Sequence, residues 1–274
     1  MGAISGEFSR WCGRLRRRLR DLAPCRAGAE LLFVPRRNGA RVALRESGRL
    51  RCRLGACSLL LAGTAHAQWS AQVGAASDYI YRGVSLNDGR PAAMAAFNYD
   101  GAGGWYLGGQ VAQTRLYGES HAEPLWIVDA GYAHALTSQL SWEIGATYSI
   151  FSGFTFWNYA ETFVGLSALD WNLRLYRAPN YFGRHRRATY LEFNYAHALD
   201  ERWRLLGHFG VQQTDSTRNS DRDRTLDASL GVGAKFDRVD VQLLRVAVNR
   251  ANYTYPSLSP EQRQRWLLSA AWAF

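Results

Sequence analysis

Apolar and polar residues take turns through most of this chain. In 225–236, Leu226, Ala228, Leu230, Val232, Ala234 and Phe236 oppose Thr225, Asp227, Ser229, Gly231, Gly233 and Lys235. In 140–150, Leu140, Trp142, Ile144, Ala146, Tyr148 and Ile150 oppose Ser141, Glu143, Gly145, Thr147 and Ser149. Successive side chains of a strand point to opposite faces, so a period of two marks strands with one apolar face. The pattern predicts twelve strands, at 69–81, 91–99, 104–114, 124–135, 140–151, 157–168, 171–178, 188–198, 203–214, 225–236, 239–249 and 264–274. In 239–249 the phase slips: Val239, Val241 and Leu243 are followed by Leu244, Val246 and Val248. A β-bulge near Leu243 would restore a single apolar face.

Short connections (100–103, 136–139, 169–170, 199–202, 237–238) alternate with long ones (82–90, 115–123, 152–156, 179–187, 215–224, 250–263). That succession is the periplasmic-turn and extracellular-loop pattern of outer-membrane barrels. The final run places Trp266, Leu268, Ala270, Trp272 and Phe274 on one face, the expected last strand of such a barrel. In lipid every backbone polar group needs an internal partner, so a sheet there must close on itself. The predicted fold is therefore all-β: a closed antiparallel transmembrane β-barrel of twelve strands, occupying residues 68–274. A soluble β-sandwich gives similar strand signals, but it has no reason to sort its loops by length.

Residues 49–67 read as a secretory signal peptide. Arg49, Arg51 and Arg53 precede the apolar run 54–63, and Ala65-His66-Ala67 supplies a cleavage site before Gln68. The run is too short to span a bilayer as a helix, which takes about 20 apolar residues. The Arg-rich stretch 1–48 shows no period; it reads as a segment upstream of the true translation start, near Val42, with an extended signal or a nucleic-acid-binding arm as alternatives.

Composition changes at that boundary. Of 33 basic and 23 acidic residues, 14 and 4 lie before residue 68, which leaves 19 of each beyond it. The basic charge thus belongs to the leader, and nucleic acid is not an expected partner. All four cysteines (Cys12, Cys25, Cys52, Cys57) are in the leader too, so 68–274 can form neither a disulfide framework nor a thiol site. Aromatics concentrate in 68–274 and fall at strand ends. Trp69, Tyr99, Trp105, Trp171, Trp203, Trp272 and Phe274 are expected at the periplasmic rim. Tyr79, Tyr81, Trp126, Trp157, Tyr181, Tyr253 and Trp266 are expected at the outer rim, as membrane girdles.

The segment Ser77-Asp78-Tyr79-Ile80-Tyr81-Arg82-Gly83-Val84-Ser85, followed by Pro91-Ala92 and Phe97-Asn98-Tyr99, resembles the opening signature of the TorF-type porins of Gram-negative outer membranes. Gly104–Gly108 and Ala178–Gly183 are similar to further blocks of that family. The resemblance implies an outer-membrane barrel enclosing a pore and carries over no catalytic residue.

The strand phase sends Asp129, Glu143, Glu161, Glu192 and Asp227 inward, against Arg174, Arg204, Lys235, Arg245 and Arg265, with Gln110 and His208 beside them. Such a belt either lines a narrow water-filled pore or pairs with itself and fills the barrel. The first reading is favoured. It names Glu143, Glu161, Arg174, Glu192, Arg204, His208, Asp227 and Lys235 as pore-lining, with weak ion selectivity from the balanced charge. Asp78 and Arg82 could pair near the mouth of the first strand.

Arg184-His185-Arg186-Arg187 could clamp lipopolysaccharide phosphates or simply be solvated. The loop 215–223 resembles a calcium loop but lacks the glycine and distal glutamate, so no metal is expected. The phrase Tyr-Ala-His-Ala-Leu recurs at 132–136 and 195–199 and puts His134 and His197 in matching strand-end environments. An enzyme needs a nucleophile, a histidine and an acid, and Ser120, His121 and Glu119 are the nearest approach. The sequence therefore points to a porin of the cell outer membrane that passes small hydrophilic solutes, not to an enzyme, and requires no cofactor. A non-conducting structural barrel, or an enzyme acting on lipid or peptide, are the alternatives. Membrane lipid, lipopolysaccharide and, through the strand ending at Phe274, the barrel-assembly machinery are the expected partners.

Overall fold

The structure is a computed structural model that describes residues 68–117, 119–215, 222–249, 255, 257 and 262–274. The leader 1–67, Tyr253 and most of the loop 215–223 lie outside those residues.

Twelve strands build the wall: β1 (Gln68–Ala76), β4 (Ala92–Asp100), β5 (Trp105–Thr114), β6 (Glu123–Ala135), β7 (Ser141–Phe151), β8 (Tyr159–Ser167), β9 (Trp171–Ala178), β10 (Ala188–Ala198), β11 (Trp203–Asp215), β12 (Arg222–Phe236), β13 (Val239–Val248) and β14 (Gln264–Ala273). Two shorter strands, β2 (Ile80–Tyr81) and β3 (Val84–Ser85), form a hairpin of their own. Each wall strand pairs antiparallel with its neighbour in sequence, and β1 pairs with β14 to close the barrel. Closure removes every sheet edge, which a lipid surround demands.

Eleven wall strands stand within three residues of their expected bounds. The first does not. The wall ends at Ala76 rather than at 81, because the chain turns into the barrel there. The bulge expected near Leu243 is also absent. Pairing runs unbroken through Leu243 and Leu244 on both sides, Leu243↔Leu268 and Leu244↔Leu267 with β14, Val232↔Leu243 and Gly231↔Leu244 with β12. Leu244, Val246 and Val248 therefore face inward and are buried, while Arg245 faces outward, contrary to its expected place in the belt. Arg245 tolerates that position because it lies near the long-loop rim. Its guanidinium sits 5.4 Å from the ring centre of Trp266 and donates to Gln264 Oε1 at 2.7 Å.

The outer face carries large apolar side chains all round. Leu230 and Trp266 are 62% exposed and Leu268 is 53% exposed, on a surface shared with Val164, Ile144, Leu175, Phe209 and Trp272. A monomer in water rarely shows an apolar patch beyond a few hundred Å², so the surround this surface fits is lipid. Leu268, paired with Leu243, sits midway along β14. Replacing it with Arg should cost about 2–4 kcal/mol of folding free energy at the bilayer midplane. Urea titration of folding into lipid vesicles measures this; a cost near zero would mean that the face does not meet hydrocarbon.

Candidate functional site

Past Ala76 the chain remains tied to the wall for one residue. Ser77 N donates to Leu268 O at 2.8 Å, and Leu268 N donates to Ser77 Oγ at 3.1 Å. Residues 78–87 then run inside the barrel and are all buried. The β2–β3 hairpin turns on Arg82 (φ 47°) and Gly83 (φ 80°). Left-handed conformation at both central residues is the two-residue turn that matches strand twist. At Arg82 it costs about 1–2 kcal/mol, so the contacts of that side chain must hold it. Gly83 is required by space as well: a Cβ there would lie 2.7 Å from Cβ of Asp227 and 3.1 Å from Cβ of Val248. The tip is pressed against β12 and β13. Leu244 and Val246 belong to the same buried cluster as Ile80, Tyr81 and Val84, which explains why the wall is apolar inside at this level.

The base of the hairpin is held by Asp78. Its Oδ1 accepts from Ser85 Oγ at 2.8 Å and its Oδ2 from Arg265 Nη1 at 2.6 Å. Burial raises the Asp78 carboxyl above its usual range, while the bonds from Ser85 and Arg265 pull it down. Ser85 Oγ also accepts from the Gly89 N–H at 3.0 Å. The pair expected between Asp78 and Arg82 does not form, because the turn carries Arg82 to the far end of the hairpin.

There Arg82 meets a built surround. Its Nη2 donates to Glu161 Oε2 at 2.6 Å and its Nη1 to Tyr181 OH at 3.1 Å. The guanidinium carbon lies 4.1 Å from the ring centre of Tyr190, 4.9 Å from Tyr81, and 5.5 Å from both Tyr176 and Tyr181. Tyr81 OH bonds Tyr159 OH at 2.6 Å, and Tyr255 OH donates to Gln212 Oε1 at 2.6 Å. Burial pushes the Tyr181 phenol up to about 12 despite the pull of Arg82, so it stays a neutral hydroxyl. The loops 152–158 and 179–187 fold over this layer. Phe182 (φ 50°) is driven inward and stands 5.0 Å from Tyr159 and 5.4 Å from Tyr255, ring centre to ring centre. Tyr79, Tyr81, Trp157 and Tyr181 are thus buried in the lumen and not in the outer girdle, where the chain was expected to run straight. Trp126 and Trp266 do stand exposed on the outside.

Beneath lies the charge belt. Arg174 grips Glu143 with two bonds, Nε to Oε1 at 2.7 Å and Nη2 to Oε2 at 3.2 Å, and Tyr106 OH donates to Glu143 Oε2 at 2.8 Å. His208 stands between Asn194 and Asp227, 2.7 Å from each, with Glu192 3.9 Å away. Tyr190 OH donates to Asp227 Oδ1 at 3.2 Å. Several of these contacts leap a strand, and a glycine stands on the strand that is leapt. A Cβ on Gly165 would sit 2.8 Å from Glu143 Oε1 and 3.0 Å from Cγ of Arg174. One on Gly210 would sit 2.2 Å from Tyr190 OH and 2.5 Å from Asp227 Oδ2. These glycines are saddles over which the long side chains lie.

All eight belt residues named from the sequence occur on the inward face. Glu143, Glu161, Arg174, Glu192, His208 and Asp227 are buried and drawn into contacts with one another or with Arg82. Arg204, paired with Asp240 at 2.6 Å, and Lys235 lie nearer the short-turn rim and keep part of their surface in solvent. The repeated phrase behaves alike at its two sites: Tyr132 stacks on His134 and Tyr195 on His197, both at an interplanar angle of 9°. On the loop after β5, Ser120 Oγ is 2.9 Å from His121 Nδ1, and His121 Nε2 is 2.7 Å from Glu123 Oε1. The acid is Glu123, not Glu119, which instead accepts from the Leu116 N–H. This trio stands in the open, with the His121 side chain 72% exposed, and lacks the desolvation that activates a nucleophile.

A family described as "Bacterial protein of unknown function (Gcw_chp)" matches residues 62–268. No curated protein matches the sequence. Among solved structures, the chain is similar to the KdgM porin (13% identity, 75% of this chain and 99% of the other, TM-score 0.49). It is also similar to the NanC porin (9%, 75% and 98%, TM-score 0.46) and to the outer-membrane channel DcaP of Acinetobacter baumannii (10%, 76% and 97%, TM-score 0.42).

Breaking a buried pair strands a charge and costs about 3–5 kcal/mol. Arg174→Met should therefore destabilise the folded barrel by that amount in urea, and adding Glu143→Gln should recover most of it. A single-variant loss below about 1 kcal/mol would mean that the belt is hydrated rather than paired.

Proposed function

The chain belongs to the Gcw_chp family of bacterial proteins of unknown function, and from the build of its lumen we propose an outer-membrane channel for small hydrophilic solutes that rests closed. One observation carries this reading. The segment that blocks the lumen is a separate two-stranded sheet, β2–β3, outside the ladder of the wall. It can move without breaking a wall hydrogen bond. Its hold is Arg82 on Glu161 at one end, Asp78 on Arg265 at the other, and one backbone bond beyond β3, from the Arg115 N–H to Leu86 O at 2.8 Å.

The part-exposed Arg204, Asp240 and Lys235 on the short-turn side support a wet approach to the block. In the open state the eight belt residues would line the passage, and four acids (Glu143, Glu161, Glu192, Asp227) against three bases (Arg174, Arg204, Lys235) and His208 come near enough to balance to give weak ion selectivity. The likeness of Ser77–Ser85 to TorF-type porins agrees with this reading, since the signature is the block itself. Arg184, Arg186 and Arg187 on a long loop suit lipopolysaccharide phosphates. The exposed stripe ending at Phe274 suits the barrel-assembly machinery. No catalytic step or cofactor enters the proposal. A second reading, a barrel that never conducts, is favoured by the full burial of Glu143 and Arg174 beneath the hairpin.

Residues 68–274 refolded into planar bilayers test the choice. The wild-type barrel should be mostly silent with brief openings. Arg82→Ala should give long-lived steps, with a reversal potential near zero across a KCl gradient. Silence from both, in material that still shifts mobility on boiling as folded barrels do, would reject the channel and leave the second reading.

A further inference from the structure

We propose that the recess holding Arg82 is a recognition site for a guanidinium group, which the hairpin fills with its own side chain when no solute is bound. The inference deepens the channel reading by naming a solute class, and rests on it only in supposing that a solute reaches the recess.

The recess is made by residues other than the hairpin. Glu161 comes from β8, Tyr176 from β9, Tyr190 from β10, Tyr181 from the loop after β9, and Tyr255 stands behind. The belt fixes several of them in advance. Tyr176 OH accepts from Arg174 Nη1 at 3.2 Å, and Tyr190 OH is tied to Asp227. Tyr181 OH lies 3.2 Å from Gln212 Oε1 and 3.1 Å from Tyr255 OH, within hydrogen-bond reach of both. Withdrawing Arg82 would leave a buried carboxylate ringed by tyrosine faces. That is the surround a flat delocalised cation fits, since a guanidinium both forks onto a carboxylate and stacks on aromatic rings. A compact ammonium fits less well, because it is more strongly hydrated and cannot lie flat.

The present occupant sits imperfectly. Arg82 reaches the recess only through a left-handed backbone at φ 47°, and its buried Nε–H has no acceptor among the described residues. A free guanidinium carries neither constraint. Its handicap is competition with a tethered rival whose effective concentration is of millimolar order. Binding to the wild-type barrel should accordingly be weak, and removing the rival should expose the site.

The test uses folded 68–274 in detergent, titrated with methylguanidinium chloride, with binding read by calorimetry. Arg82→Ala should show saturable binding at least tenfold tighter than wild type. Arg82→Ala with Glu161→Gln should lose it by tenfold or more, and methylammonium should bind Arg82→Ala at least tenfold more weakly. If Arg82→Ala does not fold alone, millimolar methylguanidinium present during refolding should restore the boiling-sensitive band, and methylammonium should not. Absence of saturable binding to folded Arg82→Ala, equal binding with and without Glu161→Gln, or failure of this rescue would each overturn the proposal. The readout is binding, not current. Saturable binding with silent bilayers would remove the channel and keep the site; conduction without binding would do the reverse.

Discussion

A sheet in lipid must close, and closing twelve strands creates an interior wider than wall side chains can fill. Most of what lies inside this barrel answers that constraint. The chain supplies the missing volume by folding residues 78–87 into the lumen, and the wall is shaped to receive them. Leu244, Val246 and Val248 make the wall apolar where the hairpin leans on it, and Gly83 lets the tip come within contact of Asp227 and Val248. Once the hairpin is inside, its single cation must be paired, and Glu161 and the tyrosine layer do so.

The second consequence concerns the belt. Charges taken out of water need partners whose geometry is good enough to offset desolvation. Some partners stand on adjacent strands, as His208 and Asp227 do, and others are met by long side chains that reach over an intervening strand. Gly165 between Glu143 and Arg174, and Gly210 between Tyr190 and Asp227, make the reach possible. The result is a lumen divided into two zones, a dry upper half filled by hairpin and tyrosines and a lower half where Arg204 and Asp240 meet solvent. On the proposed channel reading a solute would have to displace the hairpin to pass, which would make Arg82 both gate and occupant of the recognition site.

The wall was largely legible in the sequence, because lipid outside and charge inside impose a strict period of two on each strand. The hairpin was not. Residues 77–81 continue the strand alternation, since the hairpin is itself extended, and Arg82-Gly83 lacks the Asn-Gly or Asp-Gly chemistry that announces a two-residue turn. The phase slip at Leu243–Leu244 was the real trace of it. Read as a bulge, it was in fact an apolar inner wall matching an apolar insert. The inward charges could be named from alternation alone. Their partners could not, because pairing across two strands depends on which intervening residue lacks a side chain, and Gly165 and Gly210 look like any other small inward position.

The account stands on the hairpin being inside the lumen and held there by Arg82. Residues 68–274 contain no cysteine, so a single Val84→Cys reports its position cleanly. In the folded barrel, a membrane-impermeant thiol reagent should label this cysteine at least a hundredfold more slowly than in the unfolded chain. Adding Arg82→Ala should restore most of that rate. Fast labelling of Val84→Cys with Arg82 intact would contradict the account, because it would put the hairpin in solvent and leave the lumen unblocked.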